Sequence, residues 1–197
     1  MNQPLNIKVI IGSIREGRFG DKPAAWILEE LKKREGITAE LLDLRDYPMP
    51  FFAEAKTPSS LAEPYANPVV QKWTAKIAEG DAFIMVTPEY NHGYPAALKN
   101  AIDYVYKEWN RKAVAFVGYG GVGGARAVEQ LREVAVELQM APVRAAVHIP
   151  APWFLVDEKG ALKPGALDPF QAAATSTVDQ LIWWAQALKT ARASGAQ

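Results

Sequence analysis

The sequence predicts a doubly wound α/β sandwich, one parallel sheet with helices on both faces. Two observations carry this. Apolar runs rich in Val, Ile and Ala alternate five times with segments of helical periodicity. The runs are also continuous rather than alternating with polar residues, as strands covered on both faces are. With no internal repeat or linker, the 197 residues are expected to form one domain, 1–197.

The first strand is expected in LNIKVIIGS, residues 5–13, ending in Gly-Ser. After the loop REGRFG, the segment DKPAAWILEELKKREG reads as a helix. Ala24, Ile27, Leu28 and Leu31 recur at helical spacing, Pro23 suits the first turn and Gly36 the stop. TAELLDL is the second strand. A proline-rich loop follows from Arg45 to Pro68, long enough to be expected to serve function or to move. VVQKWTAKIAEG is a helix with Val69, Val70, Trp73 and Ile77 on one face.

The third strand is Ala82–Thr87, with its helix from about Pro95 to Tyr106. KAVAFVGYG, residues 112–120, is the fourth, and its helix runs from about Gly124 to Met140. VRAAVHI, residues 143–149, is the fifth. A second loop, Pro150–Pro169, precedes a last helix striped by Val178, Leu181, Ile182, Ala185 and Leu188. The final residues, RASGAQ, are expected to fray.

Composition narrows the chemistry. Lys plus Arg equals Asp plus Glu at 22 each, which disfavours bulk binding to nucleic acid or an anionic membrane. Without cysteine there is no disulfide, no thiolate nucleophile and no Cys-ligated metal. Only His92 and His148 are present, so no His-rich metal site is expected. No signal peptide or membrane-spanning run is seen, and the expected location is the cytoplasm.

In such a sheet, ligands sit beyond the carboxyl ends of the strands where strand order reverses. Three loops there are unusual. GSIREGRFG offers a close turn at Gly12, the Ser13 hydroxyl, the Arg15 and Arg18 guanidinium forks, and a helix N-terminus, together a phosphate cradle. A solvated loop with two surface arginines is the plain alternative. The stretch TPEYNHGYP sets Glu89, Tyr90, Asn91 and His92 between Pro88 and Pro95. A bare turn accounts for Asn91 and Gly93 but not for Glu89 and Tyr90. GYGGVGG contains a literal G-x-G-x-x-G at Gly118, Gly120 and Gly123. It follows the fourth strand rather than the first, and the next strand ends in Ile149-Pro150 without a carboxylate, so a dinucleotide fingerprint is disfavoured. Glycines there let main chain lie against a ring system, or simply make a tight turn.

The combination GSIREGRFG, TPEYNHGYPAALKNAIDY and GYGGVGGARA, over roughly residues 5–150, resembles the NADPH-dependent FMN reductase family of flavodoxin-like proteins, whose members include azo-dye, quinone and chromate reductases. The resemblance implies a five-stranded sheet in the order 2-1-3-4-5. It implies FMN as cofactor and NADPH or NADH as co-substrate. The FMN phosphate is expected at Ser13, Arg15, Arg18, Phe19 and Gly20. The isoalloxazine ring is expected between Pro88, Glu89, Tyr90 and Asn91 on one side and Gly118, Tyr119, Gly120 and Gly121 on the other. Two departures stand out. Arg18-Phe19-Gly20 replaces a hydroxyl or Asn common in relatives, and Gly118 replaces a common Ser.

The resemblance further implies hydride transfer to the flavin, then reduction of a small acceptor such as a quinone, azo compound, metal oxyanion or free flavin. No catalytic side chain and no metal are assigned. His92 is open to substrate contact or solvation, and His148 reads as structural. For a 2′-phosphate, Lys107, Arg111 and Lys112 are candidates without a pattern to choose among them. A homodimer or homotetramer is implied, with Val105 and Trp109 divided between interface and core. Phe51 and Phe52 are expected to wall the acceptor pocket. The alternatives are a flavodoxin-like electron carrier, a Rossmann-type NAD(P) protein, and a non-catalytic FMN-binding module. The neutral charge and the arginines of the first loop disfavour a carrier.

Overall fold

A computed structural model describes residues 4–61 and 64–195. Strands and helices alternate as β1 (Leu5–Ile11), α1 (Asp21–Lys32), β2 (Ile37–Asp43), α2 (Pro68–Glu79), β3 (Ala82–Pro88), α3 (Ala96–Asp103), β4 (Ala113–Gly120), α4 (Ala125–Glu137), β5 (Ala141–Pro150) and α5 (Gln171–Ala193). The strands form one sheet, parallel throughout, in the order β2-β1-β3-β4-β5. This is the expected order.

The continuous apolar strands are buried on both faces because their side chains alternate between two cores. From β3, Phe83 and Met85 pack with Trp73 of α2, Leu98 of α3 and Leu131 of α4. Ile84 and Val86 pack on the opposite face with Ile27 of α1 and Val178 of α5. The helices therefore divide three to one face and two to the other.

Element ends differ from expectation for local reasons. Helix α3 stops at Asp103 rather than Tyr106, and hydrogen-bonded turns follow from Val105 N–H to Ile102 O and from Trp109 N–H to Tyr106 O, both at 3.1 Å. These turns let Tyr104, Val105 and Trp109 all reach the core, where Trp109 is 0% exposed and meets Phe83 edge-on at 4.7 Å. Val105 and Trp109 are thus core residues, not an interface. Helix α4 stops at Glu137 rather than Met140, because Gln139 takes a left-handed φ of 55° and Met140 N–H closes back on Ala135 O at 2.9 Å. Strand β5 is longer than expected, beginning at Ala141, with a register irregularity opposite Val114 and Phe116.

The 45–68 loop carries two short 3-10 turns, Leu44–Asp46 and Pro58–Ser60. It ends where Asn67 caps α2, accepting the N–H groups of Val69 and Val70. In α5, Ala174, Thr177, Val178, Leu181 and Ala185 are buried. The expected Ile182 and Leu188 are only partly buried. No helix among the described residues is long and apolar enough to cross a membrane.

Candidate functional site

Strand order reverses between β1 and β3, and the loops after β1, β3 and β4 meet at their carboxyl ends. The first joint is Ser13, fully buried, whose Oγ shares a 2.7 Å hydrogen bond with the Tyr90 hydroxyl. The second is Glu89, whose N–H donates to Tyr119 O at 3.0 Å. The third is Ala151, whose N–H donates to Gly120 O at 2.8 Å. Four segments far apart in sequence thus form one rim.

In the first loop, Gly12 lies against α3: a Cβ there would sit 2.9 Å from Leu98 Cδ2. Arg15 is exposed and has no side-chain partner among the described residues. Gly17 turns through a left-handed φ of 64°. Among the described residues, the N–H groups of Glu16, Gly17, Phe19 and Gly20 have no hydrogen-bond acceptor. They sit at the entry of α1, whose N-cap position, Gly20, makes no side-chain cap bond. Free amides, a helix N-terminus and one available guanidinium fit a phosphate group.

Arg18 has a different place from the one expected. Its side chain is 2% exposed and turned inward. Nε donates to Asp21 Oδ1 and Nη1 to Asp43 Oδ1, each at 2.7 Å; Nη1 also donates to Ser13 O and Nη2 to Asp43 Oδ2. Burial opposes this charge, but the bonds from Asp43 and Asp21 outweigh it and hold the guanidinium above its ordinary pKa. Arg18 is therefore spent on the protein, and its fork is not offered to an anion. Phe19 packs on Tyr119, ring centroids 5.4 Å apart. Gly20 is glycine because a Cβ would lie 2.7 Å from the Tyr119 hydroxyl. The Tyr119 side chain thus underlies the first loop, and only its backbone belongs to the glycine loop.

The PEYN turn is held in a two-residue left-handed conformation, Asn91 at φ 50° and His92 at φ 72°, closed by paired backbone bonds between Tyr90 and Gly93. Glu89 is turned toward α4, where its carboxylate accepts from Arg126 Nε at 2.6 Å and Arg126 N–H at 3.1 Å. Burial alone would raise this carboxyl; Arg126 reverses that and holds it below the usual range. His92 is exposed, its Nε2 beside Arg126 Nη1. His148 Nδ1 hydrogen-bonds Gly123 O at 3.1 Å, a structural contact.

The glycine loop is shaped by close approach. A Cβ on Gly118 would lie 2.6 Å from Gly123 O, and Gly120 takes a φ of 149° beside Glu89. Gly121 has open space, so main chain is presented without side-chain bulk. A flat heteroaromatic group fits such a surface.

Beside the first loop and the PEYN turn is a cleft of about 580 Å³, lined mainly by apolar groups that include Ile14, Tyr47, Met49, Phe51, Tyr90 and Pro95. Its outer wall is the loop after β2. Asn100 of α3 holds that wall, accepting from Phe52 N–H and donating to Pro50 O, both at 2.8 Å. Phe51 is left 80% exposed at the mouth, whereas Phe52 packs edge-on against Tyr104 at 5.2 Å. Phe51 is thus part of the expected wall and Phe52 its anchor.

Lys107, Arg111 and Lys112 lie at the other edge of the sheet, just before β4 begins. Lys112 is buried with Nζ on Ile77 O and Ala78 O, and Lys107 Nζ bonds Leu61 O. None of the three reaches the candidate site. Asp43, Arg45, Asn100 and Arg126 were not singled out from sequence. Asn100 and Arg126 carry a visible signal, lying inside the LKNAID and GYGGVGGARA stretches.

Residues 5–153 match the sequence family described as NADPH-dependent FMN reductase. An NAD(P)H-dependent FMN reductase of Schizosaccharomyces pombe is 40% identical over 146 residues, 73% of each chain. An NAD(P)H:quinone oxidoreductase of Solanum tuberosum is 35% identical over 145 residues, 70% of this chain and 71% of that one. Among solved structures, the flavoenzyme NAD(P)H:(acceptor) oxidoreductase FerB of Paracoccus denitrificans has the same fold, with a TM-score of 0.68 at 22% identity, over 90% of this chain and 97% of that one.

Proposed function

The chain belongs to the NADPH-dependent FMN reductase family, and from that premise we propose how its loops serve an NAD(P)H-dependent oxidoreductase. FMN, when bound, would supply the redox chemistry that links NAD(P)H to an acceptor. The chain binds and orients. The amides of Glu16, Gly17, Phe19 and Gly20 and the α1 N-terminus take the phosphate, with Arg15 as its cation. Ser13, Phe19 and Gly20 shape that loop. Pro88, Tyr90 and Asn91 border one side of the ring with their turn, and the backbone of Gly118, Tyr119, Gly120 and Gly121 borders the other. Glu89 and Arg18 act as braces rather than as ligands. No side-chain acid or base is required, because the proton inventory belongs to the flavin and solvent.

We assign the apolar cleft to the acceptor and favour a quinone-class ring over a metal oxyanion. The observation that carries this is its lining: Met49, Phe51, Tyr90 and Pro95 suit a flat apolar ring. A small oxyanion would require cations aimed into the cleft, and among the described residues Arg15 is the one cation that lines it. The whole chain is proposed to act as one domain and in the cytoplasm. A homodimer or homotetramer is proposed as well, since Val122, Trp153 and Phe154 are apolar and exposed.

The test is spectroscopic. Protein supplemented with FMN and desalted should retain a flavin spectrum that bleaches on anaerobic NADPH or NADH and recovers on adding a quinone. A bound flavin that never bleaches would reduce the chain to a carrier or binding module. A flavin that bleaches and reoxidises with chromate but not with quinones would overturn the acceptor assignment.

A further inference from the structure

Two guanidinium groups hold the carbonyl side of the first loop, and one carboxylate binds the guanidinium of Arg18 and the backbone N–H of Arg45. Arg18 Nη1 donates to Ser13 O. Arg45 donates through Nε to Ile14 O at 3.3 Å and through Nη2 to Arg15 O. Three successive carbonyls are thus turned toward arginines. A trans peptide is planar, so each carbonyl held one way points the following N–H the other way. The amides of Ile14, Arg15 and Glu16 are thereby aimed away from the arginines. That of Arg15 meets Ser13 Oγ at 3.3 Å, consistent with this direction.

Asp43, the last residue of β2, ties the two arginines together. It pairs with Arg18 through both oxygens, and its Oδ1 also accepts Arg45 N–H at 2.9 Å. Burial would raise its carboxyl; the bonds from Arg18 and Arg45 overcome this and keep it below the usual range. A bidentate fork fixes direction as well as distance, which a lysine or a neutral amide does not reproduce. Arg18 is charge-matched by Asp43 and Asp21, so its contribution is geometric rather than a net positive charge.

We infer that Asp43, acting through Arg18 and Arg45, is a positioning residue that pre-forms the phosphate-binding face of the first loop. The inference rests on the FMN-binding reading above and extends it to a residue outside the three loops. Its consequence is selective. Recognition of the 5′-phosphate depends on the brace, whereas contact with the flavin ring does not.

The test compares two ligands that differ by that phosphate, FMN and riboflavin, titrated by flavin fluorescence into wild type, Asp43→Asn and Arg45→Ala. Wild type should prefer FMN. Asp43→Asn and Arg45→Ala should each lose about tenfold or more of FMN affinity while riboflavin affinity changes by less than about threefold. Asp43→Glu should recover part of the preference. Arg45 is exposed, so its variant should melt close to wild type and carries the test if Asp43→Asn does not fold. An unchanged FMN-to-riboflavin ratio in Arg45→Ala, or equal losses for both ligands, overturns the inference. A wild type that binds both equally overturns the phosphate-loop reading itself.

Discussion

Glu89 and Arg126 stand 37 positions apart in sequence, yet they close the candidate site as a pair, the Glu89 carboxylate meeting both the guanidinium and the backbone N–H of Arg126. The glutamate side chain is only 5% exposed. The pair locks the PEYN turn to the first turn of α4, and hence to the glycine loop that precedes it.

Glu89→Gln should therefore loosen both loops at once. A near-isosteric amide keeps the volume but loses the charge, at a cost of about 1–3 kcal/mol in urea unfolding. The carboxyl is held below its usual range, so its contribution is present above the unfolded value of about 4.3 and lost as pH falls through the folded one. The wild-type advantage over Glu89→Gln should shrink on acidification below about pH 4. An advantage independent of pH there would remove the ion pair from the account.

Gly118 should not accept a side chain. An added Cβ meets Gly123 O at 2.6 Å and Val128 Cγ2 at 3.0 Å. Gly118→Ala should cost about 1–3 kcal/mol by overpacking, read as a lower urea midpoint. Unchanged stability would mean that the β4–α4 turn can shift.

Phe51 at the cleft mouth should affect acceptor binding rather than folding. Phe51→Ala should leave the melting temperature within about 2 °C, since exposed side chains contribute little to stability. It should raise KM for a quinone by about threefold to tenfold, as expected for loss of about 1 kcal/mol of aromatic contact. KM for NADPH should not move. A common change in both KM values would place Phe51 outside a dedicated acceptor wall.

Lys112 sets an alkaline signature. Its ammonium is buried at the carboxyl end of α2, and burial, aided by Arg192, lowers its pKa from 10.5 to about 8. Between those values the unfolded chain holds the proton and the folded one does not, so stability rises with pH across about 8 to 10. Tyr65, raised to about 12 by burial, and Tyr119, raised for the same reason, act oppositely. Above about pH 10 their unfolded forms ionise first and stability falls. Urea unfolding should therefore give a maximum between about pH 9 and 10, with the rising limb flattened in Lys112→Met. A rise that persists in Lys112→Met would assign it to another group.

The sequence by itself determined the five β-α units, the edge of the sheet where the loops meet, and the three loops that meet there. These were legible because each depends on local backbone demands. A covered strand needs a continuous apolar run, a helix needs its 3.6-residue stripe, and tight turns need Gly, Asn or Pro where they occur. What only the tertiary structure decided is which charges meet. Arg18 reads as a phosphate fork when seen beside Arg15, but Asp43, 25 residues away on β2, claims it. Glu89 reads as a ring contact until Arg126 is seen to hold it, and Lys107, Arg111 and Lys112 read as cofactor cations until β4 is seen to carry them to the far edge. Trp109 reads equally as interface or core until Phe83 is seen packed against it. Long side chains of Arg, Lys and Glu reach several ångströms in many directions. Their partners are set by how strands two and four are laid beside strands one and three, which no local window of sequence contains.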